Sequence, residues 1–139
     1  VVLSDLGELQ AEATKAHIAM NQPALGSARG AASYATLDWD RLPDRASFGY
    51  FDVVFAGDVI WHETLVEPFL KALSWAASGP GLGEAVLSHK VRDKESVDLF
   101  EKMAASCGFV IASKVSSEEV LGEDGHSSVF LYHLRKLGK

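Results

Sequence analysis

Cysteine is almost absent from this 139-residue chain, where Cys107 stands alone. A single thiol excludes a disulfide framework and points to a reducing compartment. Long hydrophobic runs are missing too: none approaches the ~18 residues a membrane-spanning helix requires, so a soluble chain is expected. Positive charge is scarce, with 13 Lys and Arg against 19 Asp and Glu, a net −6. Phosphate-binding surfaces collect basic residues, so nucleic acid is excluded as a partner class. The chain opens on Val1-Val2-Leu3-Ser4 with neither a Met nor a targeting segment in front. It is therefore expected to begin in mid-structure, and cytoplasm is the expected compartment, with the nucleus second. What is present in quantity is apolar side chain, 47% of residues, enough to offset the entropy of ordering and to exclude disorder. The length suits one domain.

Short β-rich runs alternate with stretches of helical period. Val1-Val2-Leu3, ending in Ser4-Asp5, reads as a strand buried on both faces. Leu6, Leu9, Ala13, Ala16 and Met20 mark the inner face of a helix. Asn21-Gln22-Pro23 should end it, because Pro drives its predecessor out of the α region. Residues 24–33 read as a loop, 34–37 as a strand closing on Asp38-Trp39-Asp40, and 41–50 as a second loop. The clearest strand is 51–56, followed by Gly57-Asp58-Val59-Ile60-Trp61. Thr64 with Glu67 reads as a capping box. Val66, Phe69, Leu70, Leu73 and Ala77 form the stripe of the next helix, with Pro68 in its first turn. A Gly-rich turn at 79–83 precedes a buried strand at 85–88. Asp93 should cap a helix carrying Val97, Phe100, Ala104 and Cys107, which Gly108 stops. Strands at 109–115 and 129–134 close the chain with no helical stripe between them, so the last should run antiparallel.

The order β-α-β-loop-β-α-β-α-β-β specifies an α/β fold: a doubly wound, mostly parallel sheet with an antiparallel final strand. Ligands of such sheets gather at the carboxyl ends of the parallel strands. Those ends carry Asp5, Asp38-Trp39, Gly57-Asp58 and Ser88-His89, and three of the four bear an acid. Asp5 could accept hydrogen bonds from two ribose hydroxyls, cap the following helix, or do both. Trp39 beside Asp38 could face a purine and its exocyclic amine, or be a packed core residue. Asp58 and Trp61, three apart, could receive a cationic group between carboxylate and ring, or could be a capping acid and a packed Trp.

Other features carry no chemistry. Gly79, Gly81 and Gly83 precede a strand instead of following one, so no helix N-terminus awaits a phosphate there. The five His residues show no ligand spacing, and no metal is expected. Cys107 lies on an apolar helix face and reads as packed. Lys71, Lys94 and Lys102 read as solvated.

The run from Phe51 to Trp61 resembles the fourth-strand region of class I, seven-strand S-adenosylmethionine-dependent methyltransferases. Within that superfamily it is similar to the family 16 protein lysine methyltransferases and their D-x-x-[YF] motif, here Asp58-Val59-Ile60-Trp61. Further points of resemblance are Val1-Val2-Leu3-Ser4-Asp5 as the second strand, Asn21 after the next helix, and Leu37-Asp38-Trp39 ending the third strand. Ala85 to Ser88, followed by Arg92, resembles the fifth strand, and Gly108-Phe109 resembles the opening of the sixth. The motif's aromatic is Trp61 in place of Tyr or Phe, and the first strand with its Gly-rich loop is expected before Val1.

The resemblance implies that 1–139 is the C-terminal portion of a single methyltransferase domain, its second to seventh strands. It implies S-adenosylmethionine as cofactor and a protein lysine as methyl acceptor. Asp5 would bind the ribose, Asp38 and Trp39 the adenine, and Ala56 and Gly57 the methionine moiety. Asp58 and Trp61 would meet the acceptor amine. Two alternatives stand beside it: a degenerate, non-catalytic methyltransferase-like binding module, and a receiver-like signalling domain in which Asp58 and Lys90 serve phosphorylation.

Overall fold

Val1–Pro43 and Asp44–Lys139 are distinct packing units in the computed structural model, which describes residues 1–78 and 83–137. In the first unit, β1 (Val2–Asp5) pairs in parallel with β2 (Ser33–Thr36), and α1 (Glu8–Ser27) crosses between them. α1 does not stop at Pro23. Proline withholds one N–H, whose acceptor would be the Ala19 carbonyl, and on this exposed helix face water can satisfy that carbonyl. The turn is further held by Ser27 Oγ donating to the Pro23 carbonyl at 2.9 Å. Asn21 therefore lies inside the helix, its side-chain amide donating to the His17 carbonyl.

The expected inner stripe of α1 is also corrected. Leu9 and Met20 are 84% and 77% exposed, while Ala11 is buried with Thr14, Ile18 and Leu25 half-buried around it. Apolar residues occupy two stripes of this helix, and the one led by small Ala11 permits the closer approach to the sheet. Nor is β1 buried on both faces, since Leu3 is exposed.

The second unit is a four-stranded sheet in the order β3-β4-β6-β5, formed by Val53–Gly57, Glu84–Lys90, Val129–Lys136 and Phe109–Ser116. β3 and β4 are parallel, and β6 lies antiparallel between β4 and β5. This is the expected doubly wound architecture with an antiparallel last strand. α3 (Val66–Ala76) buries Val66, Phe69, Leu70 and Leu73, and α4 (Lys94–Ser106) buries Val97, Phe100 and Ala104, as their stripes predict. Asp93 caps α4 by accepting from Ser96 N at 2.6 Å, and Gly108 ends the turn with φ +84°.

Two loops contain helix that periodicity alone misses. α2 (Arg45–Phe48) is one turn pinned to the end of α3: Arg45 donates to the Ala76 carbonyl at 2.8 Å and stacks 4.8 and 4.9 Å from the Tyr50 and Trp75 rings. α5 (Ser117–Leu121) grows from a capping box in which Ser116 and Glu119 bond reciprocally. The box expected at Thr64 and Glu67 does not form. The His62 ring takes the Thr64 N–H, and Glu67 pairs with Lys71 at 2.7 Å. Of the Gly-rich turn only Gly83 lies within the described residues. A Cβ there would come 2.1 Å from the Ala77 carbonyl, so close backbone approach requires glycine.

The inward residues of β4 alternate as Ala85, Leu87 and His89, and their register partners on β6 are Leu134, Tyr132 and Phe130. Phe100 meets Tyr132 edge-on at 5.3 Å. The Tyr132 hydroxyl donates to Glu101, which also binds Lys114 at 2.7 Å. Burial alone would raise the Glu101 pKa, but these donors outweigh it and hold the carboxyl below its ordinary value. Burial pushes Tyr132 up to about 12.

His89 is the exception in this layer. It is 4% exposed, and neither ring nitrogen has a hydrogen-bond partner among the described residues. Burial lowers its pKa from the ordinary 6.5, against the pull of nearby Asp58.

Two outcomes follow from this core. Leu87→Ala, at a position 1% exposed, should cost about 2–5 kcal/mol, measured by urea denaturation. His89 is neutral when folded and takes a proton more readily when unfolded, so stability should be constant above the ordinary histidine range. It should then fall as the pH drops below it, by at most about 1.4 kcal/mol per pH unit. Urea midpoints at pH 8 and 5.5 should differ in the wild-type chain and converge in His89→Leu.

Candidate functional site

β3 ends at Gly57, and Asp58 leaves it with φ +52°. That left-handed conformation is uncommon for a residue with a side chain but is one that Asp tolerates. The Asp58 N–H still donates to the Ser88 carbonyl at 2.8 Å, extending the β3–β4 ladder by one residue. The turn carries the carboxylate across the end of β4. There Arg92 grips it with both arms, Nη1 to Oδ1 and Nη2 to Oδ2, each at 2.6 Å. The Lys90 N–H approaches Oδ1 at 3.4 Å. The Arg92 hydrogen bonds above all, then the Lys90 N–H and the neighbouring charges, outweigh burial and hold the Asp58 pKa to about 2. The carboxylate is thus ionised at any working pH. Its side chain is 43% exposed and that of Arg92 is 41% exposed, and an exposed pair stabilises a fold by no more than about 1 kcal/mol. The pair's consequence is orientation.

Trp61 follows on the same loop and is 62% exposed, its ring 6.4 Å from that of His62. It is not a core residue. Asp58 is not a helix cap either, since His62 caps the 3-10 turn at Glu63–Leu65 and α3 has no side-chain cap. Ala56 is half-buried on the inner face of β3. Gly57 is exposed, and a Cβ there would meet Ser88 Oγ at an ordinary 3.5 Å, so packing does not demand glycine at that point.

Within the first unit, Asp5 and Asp38 stand at neighbouring strand ends, Asp5 being paired in register with Thr36. Asp5 does not cap α1. Its Oδ1 accepts from the adjacent Leu6 N–H at 2.7 Å, and α1 starts from Gly7 without a side-chain cap. Oδ2 has no partner among the described residues, which leaves an exposed acceptor suited to a hydroxyl. Asp38 turns the chain by accepting from Asp40 N at 2.9 Å, and Trp39 beside it is half-buried.

Arg92 is the residue that reasoning from strand ends passed over, and the signal for it was a base two positions beyond a strand that neighbours an acid-tipped one. The depression lined by Lys71, Ser74, Trp75, Ser106 and Cys107, about 510 Å³, lies at the C-terminal ends of α3 and α4. That is where the strands begin, away from Asp58.

The sequence profile of the lysine methyltransferase family matches residues 1–106. No protein of curated function matches the chain. Among solved structures, a SAM-dependent methyltransferase from Methanosarcina mazei is 13% identical, with a TM-score of 0.67 over 100% of this chain and 82% of that one. The CurJ carbon methyltransferase is 19% identical, with a TM-score of 0.63 over 99% of this chain and 41% of that one. The [4+2]-cyclase SpnF is 11% identical, with a TM-score of 0.62 over 99% of this chain and 66% of that one. The chain thus spans less than half the length of CurJ. At these identities the likeness speaks for the fold, which SpnF shares with the methyltransferases.

The antiparallel β6 rules out the receiver-like alternative, whose sheet has the parallel 2-1-3-4-5 order. No helix among the described residues is long and apolar enough to cross a membrane. Profile and topology agree: the chain has the class I S-adenosylmethionine-dependent methyltransferase fold and belongs to the lysine methyltransferase family.

Proposed function

We propose that the protein is an S-adenosylmethionine-dependent N-methyltransferase acting on a lysine of a protein substrate. The observation that carries this reading is Asp58, ionised and turned outward at the end of β3 with exposed Trp61 three residues on, in a chain of this family. When bound, the cofactor supplies an electrophilic methyl group on a sulfonium. In the first unit, Asp5 would offer an exposed carboxylate oxygen to the ribose hydroxyls, and Asp38 with Trp39 would offer an acceptor and a ring to the adenine. In the second unit, Ala56 and Gly57, with little or no side chain, would leave room for the methionine moiety.

Lysine arrives protonated, since its ordinary pKa is about 10.4. Asp58, with a pKa of about 2, is too weak a base to keep that proton. It acts as an anchor that orients the amine and balances its charge, and the exposed position lets the proton leave to water. Trp61 lays an aromatic face along the cationic side chain, a contact contributing about 0.5–1 kcal/mol at an exposed site. Positioning of this kind is where the protein supplies its acceleration.

Calorimetric titration of the full-length protein with S-adenosylmethionine tests the cofactor, and absence of binding favours the non-catalytic binding module instead. Asp58→Asn keeps the left-handed turn but removes the charge. It should lower methyl transfer about a hundredfold with an unchanged circular dichroism spectrum and melting temperature; equal turnover removes the role given to Asp58. Turnover should rise with pH from 6 to 9 as the acceptor amine loses its proton. No inflection from Asp58 should fall in that range, because its pKa of about 2 lies far below it.

A further inference from the structure

The Asp58 carboxylate already holds a cation. Arg92 covers both of its oxygens at 2.6 Å, a fork-on-fork arrangement that matches carboxylate geometry better than an ammonium does. We propose that Arg92 is an exchangeable resident cation, which occupies Asp58 until an acceptor ammonium takes its place and returns to it as the product leaves. This rests on the lysine-methylation reading above.

Three observations carry it. Both partners are about two-fifths exposed, so the guanidinium can swing into water at small cost. Little else holds Arg92: its other hydrogen bond, to the Lys90 carbonyl, is a long 3.4 Å. Asp93, the acid next to it in the chain, is engaged in capping α4 through Ser96. Exchange also conserves charge, replacing one cation by another on a carboxylate that stays ionised throughout. A tightly buried pair could not behave this way, and an unpaired Asp58 would have no competitor. Arg92 is thus a positioning residue that sets a threshold for acceptor binding, weakening entry and hastening product release by the same competition.

The test uses the full chain as wild type, Arg92→Gln and Arg92→Lys, with n-butylammonium chloride as the probe and the Asp58 carboxyl carbon followed by NMR. Removing the fork should move the Asp58 titration up from about 2 toward its ordinary 3.8. Butylammonium should bind Arg92→Gln up to about fivefold more tightly than wild type, with Arg92→Lys between them. On a protein substrate, Arg92→Gln should lower KM by a similar factor without raising kcat. Equal or weaker butylammonium binding in Arg92→Gln overturns the exchange, as does a probe that disturbs Asp58 in none of the three proteins. If the binding order holds but no protein lysine is methylated, the exchange stands and the methylation reading fails.

Discussion

The enclosure of β4 is the constraint on which Asp44–Lys139 depends. Ala85, Leu87 and His89 all face inward, opposite Leu134, Tyr132 and Phe130, with β3 paired along the other edge. A slip of one residue would turn every one of these side chains to the other face, so packing fixes the register. The register then fixes the site. Gly57 lies opposite Ser88, Asp58 takes the Ser88 carbonyl, and Arg92 emerges two residues after the strand, within reach of the carboxylate. The ion pair at the surface inherits its geometry from aliphatic packing several residues below.

Charge is layered in the same way. Asp58, Arg92 and Asp93 stand outside, each satisfied by a partner that keeps it ionised. His89 lies inside with no hydrogen-bond partner among the described residues, and burial lowers its pKa by more than Asp58 and Asp93 raise it. Lys114 and Glu101 form a half-exposed pair that holds the buried Tyr132 hydroxyl.

Much of this was legible in the chain, for reasons that can be named. The strands β3, β4 and β6 are apolar runs with turns at their ends, and α3 and α4 carry wide stripes that admit one inner face. α1 has two weak stripes, and only the sheet decides which is buried. The two S/T-x-x-E signals show the limit of local motifs. Ser116 and Glu119 form the box, while a competing histidine ring takes the Thr64 donor and a lysine takes Glu67. The strand-end rule found Asp58 but not Arg92, since their meeting depends on which strands are neighbours and not on any spacing in the sequence.

Asp58 is selected twice over. Its left-handed backbone restricts the position to the few residues that tolerate φ near +52°, chiefly Gly, Asn and Asp. Glycine would give the turn without a side chain, and asparagine would give the turn and a hydrogen-bonding group without charge. Only aspartate gives the turn and a permanent anion, and only an anion pairs with both arms of the Arg92 guanidinium. The backbone requirement alone would admit Gly or Asn. That the chain carries the acid, with a base poised to neutralise it and an exposed indole three residues on, argues that the turn is built to receive positive charge.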